Sequence, residues 1–259
     1  YETGKLNTAL EYQAKDKIMM HNDAVLCLSF SDDSDYIASG SKDGMIKIWR
    51  VTTGKCVRKF EKAHSQAVSS IAMNHGEPTQ VLSGSHDGTV RIYGFASSSI
   101  LKEFSNHGCF VNAVAYSSDN TRVVTGTSDG TVRIWNVESQ ECLHVLTFKG
   151  SIHLLQVQDS FGIFISNASP TLTFATMEGK QTRSLVLDNQ GDITIAIASP
   201  SGKLVYAIGS DYNIYCFDEN VMVSRIMQAH KGNVLSIAHH PSKCLVATCG
   251  NDNVVKFWK

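Results

Sequence analysis

The sequence has no Cys-x-x-Cys pair and no basic start followed by an apolar core at its N-terminus. It also lacks any run of about 18 apolar residues, the length that spans a bilayer as a helix. The first absence argues against a zinc module or dithiol redox site. The others argue against a visible secretory signal and a helical membrane span. Net charge is nearly absent too: 23 Lys and Arg against 24 Asp and Glu leave −1 over 259 residues. No overall field therefore draws the chain to nucleic acid or an anionic membrane, and either would need a local patch. Charged residues make up only 18 % and hydrophobic residues 42 %, a balance that excludes a disordered chain. The cysteines, at positions 27, 56, 109, 142, 216, 244 and 249, are odd in number. The closest pair, Cys244 and Cys249, has no second pair nearby and no His at zinc-ligand spacing. No disulfide framework or metal site is expected. Most of the cysteines read as small buried hydrophobes, and a reducing, intracellular compartment follows.

What is present is an internal repeat, the feature to seek before any other. IASGSKDGMIKIW ends at Trp49, VLSGSHDGTVRIY at Tyr93, VVTGTSDGTVRIW at Trp135 and VATCGNDNVVKFW at Trp258. All three tryptophans of the chain occupy this one position. The turn residues Asp43, Asp87 and Asp129 are 44 and 42 apart, and Asp211 and Asp252 are 41 apart. Ser169, in SNASPTLTF, takes the Asp place in between. That makes six copies, of which those at Ser169 and Asp211 are degenerate. They span about 15–60, 61–104, 105–146, 147–186, 187–227 and 228–259 of a single domain.

Each copy reads as four short strands. The Asp-Gly pairs are hairpin signals, because Gly tolerates the positive φ of the turn. Pro78, Pro200 and Pro241 fall in the first polar turn, where no ladder N–H is needed. No stretch sustains a helical period. Four strands per copy is the pattern of a β-propeller blade, so an all-β fold is expected. Over essentially its whole length the sequence resembles the WD-repeat family.

Four copies carry a His 22 or 23 residues before the turn Asp: His21, His64, His107 and His230. A hydroxyl lies four before it, at Ser39, Ser83, Thr125 and Thr248, and an aromatic six after it, at Trp49, Tyr93, Trp135 and Trp258. With Asp43, Asp87, Asp129 and Asp252 these sets invite a nucleophilic-triad reading. A nucleophile is needed once, however, and this set recurs. The family resemblance implies instead a buried hydrogen-bond chain, altered at Tyr93, broken at Ala207 and Phe217, and absent around Ser169. The degenerate copies are then expected to rely on packing and to be less regular. Lys47, Arg91, Arg133 and Lys256 recur two residues before the blade aromatic. A nucleic-acid stripe is one reading and a stem covering the next blade the other.

Residues 1–14, YETGKLNTALEYQA, match a post-Trp linker and fourth strand. They either complete the last of six blades in a ring or form the outer strand of a preceding blade. Several stretches outside the repeat motif resemble the Smu (suppressor of mec and unc) family of splicing proteins. They are LEYQAKDKIMMHNDAVLCLSFSDD at 10–33, CVRKFEKAHSQAV at 56–68, LKEFSNHGCFVNAV at 101–114, YCF at 215–217 and SIAHHPSKCLVAT at 236–248. That resemblance implies seven blades with the first repeat missing here, and an N-terminal helical region, also missing, that serves dimerisation. It implies a nuclear, non-catalytic scaffold without cofactor, acting with the RED protein in the spliceosome before activation. Direct RNA contact stays open, and no membrane contact is implied.

The WD-repeat resemblance also implies a partner-binding face. It would be formed by residues flanking the first-strand Val and residues before the turn Asp. The flanking residues are Ala24, Leu26, Ala67, Ser69, Phe110, Asn112, Asp192, Thr194, Asn233 and Leu235. The pre-turn residues are Lys42, His86, Ser128, Ser210 and Asn251. Phe110, an aromatic in a polar ring, is the expected hot spot. None of these residues is Arg, which counts against the alternative of a phosphopeptide reader or a substrate adaptor of a cullin-type ubiquitin ligase.

Overall fold

A computed structural model describes residues 20–105, 107–186, 193–217, 223–228, 230–240 and 243–258. The segment 1–14 and Asp192 lie outside the described residues. No helix occurs among those described, and 23 strands build six antiparallel sheets. Strands β1 to β4 are Val25–Phe30, Tyr36–Ser41, Ile46–Arg50 and Cys56–Phe60, and β5 to β8 are Val68–Met73, Gln80–Ser85, Val90–Gly94 and Ile100–Phe104. Next come β9 to β12 at Val111–Tyr116, Arg122–Thr127, Thr131–Asn136 and Cys142–Thr147, and β13 to β16 at Ile152–Gln158, Gly162–Asn167, Thr171–Ala175 and Gln181–Val186. The fifth sheet holds β17 to β20, at Ile193–Ala198, Val205–Gly209, Asn213–Phe217 and Val223–Gln228. The sixth has three strands among the described residues, β21 to β23, at Val234–His239, Val246–Gly250 and Val255–Trp258. In each sheet the strands lie in sequence order, so every connection is a hairpin.

The chain divides into two compact units, Tyr1–Val123 with Val137–Gln140, and Val124–Asn136 with Glu141–Lys259. Within each unit successive sheets pack through their first two strands. In the first unit the second strands are buried along nearly their whole length. Gly40 and Gly84 make the approach close. A Cβ on Gly40 would lie 2.6 Å from Val68 Cγ1, and one on Gly84 would lie 2.7 Å from Val111 Cγ1. Side chains tie neighbouring first strands together: the Met73 amide donates to Ser29 Oγ at 3.4 Å and the Val114 amide to Ser70 Oγ at 3.1 Å.

In the second unit Gly126 repeats this role against Ile152. In the degenerate copies the equivalent positions are Ser166 and Ile208. A larger apolar cluster takes over there, with Phe164, Phe174, Leu185, Ala198, Ala207, Tyr215 and Phe217 buried together. Ile208 packs with Ile214, Ile237 and Val246. Gln156 bridges the two degenerate sheets twice, accepting from the Ala198 amide and donating to its carbonyl. Reliance on packing is therefore observed, but lesser regularity is not. Both degenerate copies form complete four-stranded sheets with the same ladder register as the others. Of the seven free thiols none is fully buried, and Cys142 and Cys244 are exposed. Burial does push the Cys27 thiol up to about 12.

Candidate functional site

In the first and sixth sheets the Asp, His, hydroxyl and indole groups meet as the family resemblance implies. In the first sheet His21 Nδ1 lies 3.1 Å from Asp43 Oδ2, and Nε2 lies 2.8 Å from Ser39 Oγ. Trp49 Nε1 donates to the same Oγ at 2.9 Å. A neutral His with its proton on Nδ1 satisfies every member: indole to hydroxyl, hydroxyl to Nε2, and Nδ1–H to carboxylate. The sixth sheet repeats this arrangement. There His230 Nδ1 lies 2.9 Å from Asp252, Nε2 lies 2.8 Å from Thr248, and Trp258 donates to Thr248 at 2.9 Å. In the second sheet His64 bridges Asp87 and Ser83 at 3.0 and 2.8 Å, but the Tyr93 phenol donates to the Ala63 carbonyl instead. In the third sheet Trp135 donates to Thr125 at 3.0 Å, while Thr127 and Thr131 donate to Asp129. His107 is buried and Asp129 exposed. The hydroxyls of Ser39, Ser83, Thr125 and Thr248 are buried, so no substrate reaches them as nucleophiles.

Two of the recurring cations have a local role that neither sequence reading anticipated. Lys47 Nζ donates to the Met20 carbonyl, and Arg91 Nη1 donates to the Ala63 carbonyl at 2.6 Å. Each cap sits on the residue just before a network histidine. Arg133 donates to Thr131 Oγ1 at 2.7 Å, and the Lys256 ammonium lies over the Trp258 ring.

Carboxylates in these networks are held in the charged form. For Asp43, burial pushes the pKa up, but hydrogen bonds from the Met45 and Asn22 amides and from His21 outweigh it and leave it lowered. For Asp87, burial is outweighed by His64 and Thr89, and the shift is strongly downward. Asp252 is lowered in the same way, His230 leading the hydrogen bonds that oppose burial. Burial lowers the pKa of His21, which favours the neutral ring.

At the turn-bearing ends of the first, second and sixth sheets the predicted partner residues come together in pairs. The Lys42 amide donates to the Ala24 carbonyl at 2.9 Å, His86 to Ala67 at 3.0 Å and Asn251 to Asn233 at 2.9 Å. Beside each of these pairs the first strand carries a β-bulge, between Val25 and Cys27, Val68 and Ser70, and Val234 and Ser236, and the fifth sheet carries one between Ile193 and Ile195. The extra residues are Leu26, Ser69, Thr194 and Leu235. A bulge leaves its extra residue unpaired and re-aims the side chain. Leu26 is thereby 47 % exposed and Leu235 64 %. Ser69 and Thr194 turn their hydroxyls back, Ser69 to the Gly84 and Val111 carbonyls and Thr194 to that of Ile208 at 3.0 Å. Ala24, Lys42, Thr194, Ser210, Asn233 and Asn251 are exposed, and Asn112 and Ser128 are half-buried. Ala67 is instead buried.

Phe110 is half-exposed rather than packed beneath a loop. Its ring stacks on that of His86, with centroids 4.9 Å apart. The two rings line an open depression of about 390 Å³ together with Gly88, Gly108 and Cys109. Sequence reasoning missed the equivalent end of the fourth sheet. There the Ala168 amide donates to the Ser151 carbonyl at 2.8 Å, and exposed His153 occupies the bulge between Ile152 and Leu154. Ile152 in the place of the strand Val was the available signal, obscured by the degenerate turn. That turn keeps one function of the lost carboxylate: Ser169 Oγ accepts the Thr171 amide at 3.2 Å, as Asp43 accepts that of Met45 at 2.9 Å.

Residues 15–50, 54–94, 98–136 and 222–259 match the family described as WD domain, G-beta repeat, together more than half of the chain. Strand β12, the fourth sheet and the first three strands of the fifth fall outside these segments. The WD40 repeat-containing protein smu1 of Dictyostelium discoideum is 36 % identical over 100 % of this chain and 51 % of its own length. Striatin-4 of Homo sapiens is 24 % identical over 98 % of this chain and 37 % of its own length. Periodic tryptophan protein 2 of Arabidopsis thaliana is 24 % identical over 90 % of this chain and 22 % of its own length. The chain thus spans about half or less of the length of these relatives.

Proposed function

The chain belongs to the WD-repeat family, and from that premise we propose that it serves as a non-catalytic interaction scaffold in pre-mRNA splicing. The reading places it in the nucleus, with the RED protein and other spliceosomal components as partners. The likeness to a smu1 protein along the whole chain supports the splicing assignment. The observation that carries the scaffold reading is the set of exposed side chains at the turn-bearing sheet ends. Leu26 and Leu235 are re-aimed by bulges, and Phe110 is steadied by His86. Side chains on rigid strand ends lose little freedom on binding, which favours protein recognition. Apolar side chains also stay exposed on β1, at Leu28 and Phe30, and on β23, at Val255 and Phe257.

The test is affinity purification of the intact protein from nuclear extract, with and without ribonuclease, read by mass spectrometry. Recovery of the RED protein and spliceosomal components in both samples is expected. Recovery of cullin-type ligase subunits in their place, or loss of all splicing proteins after ribonuclease, would overturn the proposal.

A further inference from the structure

At the edge of the third sheet opposite β9 lies β12, which differs from the other outer strands. Each of β4, β8, β16 and β20 carries at least one Lys, Arg or Glu, whereas β12 carries none. Charged side chains of that kind blunt a sheet edge against further pairing. Five of the six residues of β12 are exposed, Val145 at 54 %.

The backbone of this edge is open as well. The Phe148 amide donates to the Gly130 carbonyl at 2.9 Å, next to the ladder pair of Thr131 and Thr147. Bonded and non-bonded pairs alternate along an antiparallel ladder, so Val145 and Thr147 turn their amide and carbonyl groups away from β11. In the second sheet the matching amide is that of Glu103, and Gln140 Oε1 accepts from it at 3.4 Å. Among the described residues no side chain caps the Val145 amide.

The same comparison reveals a missing carboxylate. On β7 Arg91 faces Glu103 across the ladder, and its Nε donates to that carboxylate at 2.8 Å. On β11 Arg133 faces Val145 instead. Its Nη1 donates to Thr131 Oγ1 at 2.7 Å, and its Nε meets no acceptor among the described residues. A half-buried guanidinium thus stands beside an exposed, uncharged edge.

We propose that β12 receives an extended segment of a partner protein as a fifth strand, and that this segment supplies a Glu opposite Val145 to pair with Arg133. Such strand addition draws affinity from backbone hydrogen bonds and specificity from alternate side chains. The added strand lies about 4.8 Å beyond β12, so its Glu reaches Arg133 over the short Val145 side chain. Leu146, on the other face, suits an apolar residue next to that Glu. β12 is the strand of its sheet farthest from β9 and Phe110. The proposal therefore stands or falls independently of the recognition surface at the turn-bearing ends.

The probe is a fluorescein-labelled peptide, Thr-Thr-Val-Glu-Val-Thr-Thr, titrated into the intact protein and read by anisotropy. Hydrogen exchange followed by mass spectrometry locates the bound strand. Saturable binding is expected, with slowed exchange in the segment that holds Val145 and Thr147. Gln in place of the probe's Glu should weaken binding about threefold or more, the scale of a partly exposed ion pair. Pro in that place removes the donor that faces Val145 and should abolish binding. Val145→Glu rebuilds on β12 the pair that Arg91 makes with Glu103. That variant should keep the wild-type melting midpoint and lose the preference for the Glu peptide over the Gln peptide, and Arg133→Gln should lose the preference too. Equal affinity for the two peptides, a preference that survives Val145→Glu, or unchanged exchange at Val145 would each overturn the proposal. So would the same protection arising without peptide as protein concentration rises, which would assign the edge to a second copy of the chain.

Discussion

The ring of Phe110 stacks on the imidazole of His86, with centroids 4.9 Å and planes 28° apart. His86 precedes the turn Asp of the second repeat, and Phe110 immediately precedes β9, the first strand of the third. Asp87, next to His86, accepts from His64, from the Ser65 and Thr89 amides and from the Thr89 hydroxyl. The buried network therefore anchors the turn that carries the exposed stack. A structural device in the interior positions a recognition surface at the strand ends.

Phe110→Ala removes a half-exposed ring that touches little of the core. Its expected effect on stability is within about 0.5 kcal/mol. Partner recovery should fall at least tenfold. Urea unfolding and quantitative pull-down measure the two effects, and wild-type recovery would refute the role given to this ring.

Asp87→Ala leaves His64 Nδ1, two backbone amides and a hydroxyl without their shared acceptor. A loss of about 2–4 kcal/mol is expected, in the range for orphaned buried polar groups. Asp129→Ala, at a more exposed turn, should cost less. Both are read from denaturant midpoints, and an unchanged midpoint for Asp87→Ala would remove the network from the account.

Gly84→Ala places a methyl 2.7 Å from Val111 Cγ1 and 2.8 Å from Val114 Cγ1. Overpacking of this kind costs about 1–3 kcal/mol. Gly76→Ala is the contrasting control. Its Cβ would meet nothing within 4 Å, so its cost is confined to a φ of +80°. Thermal unfolding of the two variants separates crowding from backbone strain.

Stability should fall in two stages as pH is lowered. Burial lowers the pKa of His21 from 6.5, so the unfolded chain takes up its proton first and stability falls as pH drops below about 6.5. Asp43, Asp87 and Asp252 are lowered from 3.8, and their contribution is lost as pH falls further through their folded values. Melting midpoints measured from about pH 7.5 down to about pH 2 test both stages. A midpoint constant down to pH 4 would contradict the first stage, and His21→Gln should flatten it.

Much of this was legible in residues whose chemistry admits one use. Trp49, Trp135 and Trp258 mark strand ends because an indole N–H there meets a hydroxyl ten residues earlier, and the contact of His21 with Asp43 is what the family resemblance implied. The bulges were not legible, because Leu26 and Leu235 look like ordinary strand residues and only the ladder register reveals an extra one. Nor was the capping by Lys47 and Arg91, since a cation's stem and head point to different partners. Ile208 in the place of Gly40 hid a regular sheet: the glycine signals close approach, whereas its replacement shifts the packing without altering the hydrogen-bond ladder.

The most direct test of the central claim compares the intact wild-type protein with a Leu26→Ser, Phe110→Ala variant in parallel purifications from nuclear extract. Both should show the same melting midpoint. The account predicts that the wild type recovers the RED protein and spliceosomal components after ribonuclease treatment and that the variant loses them. Equal recovery by the two proteins would contradict it.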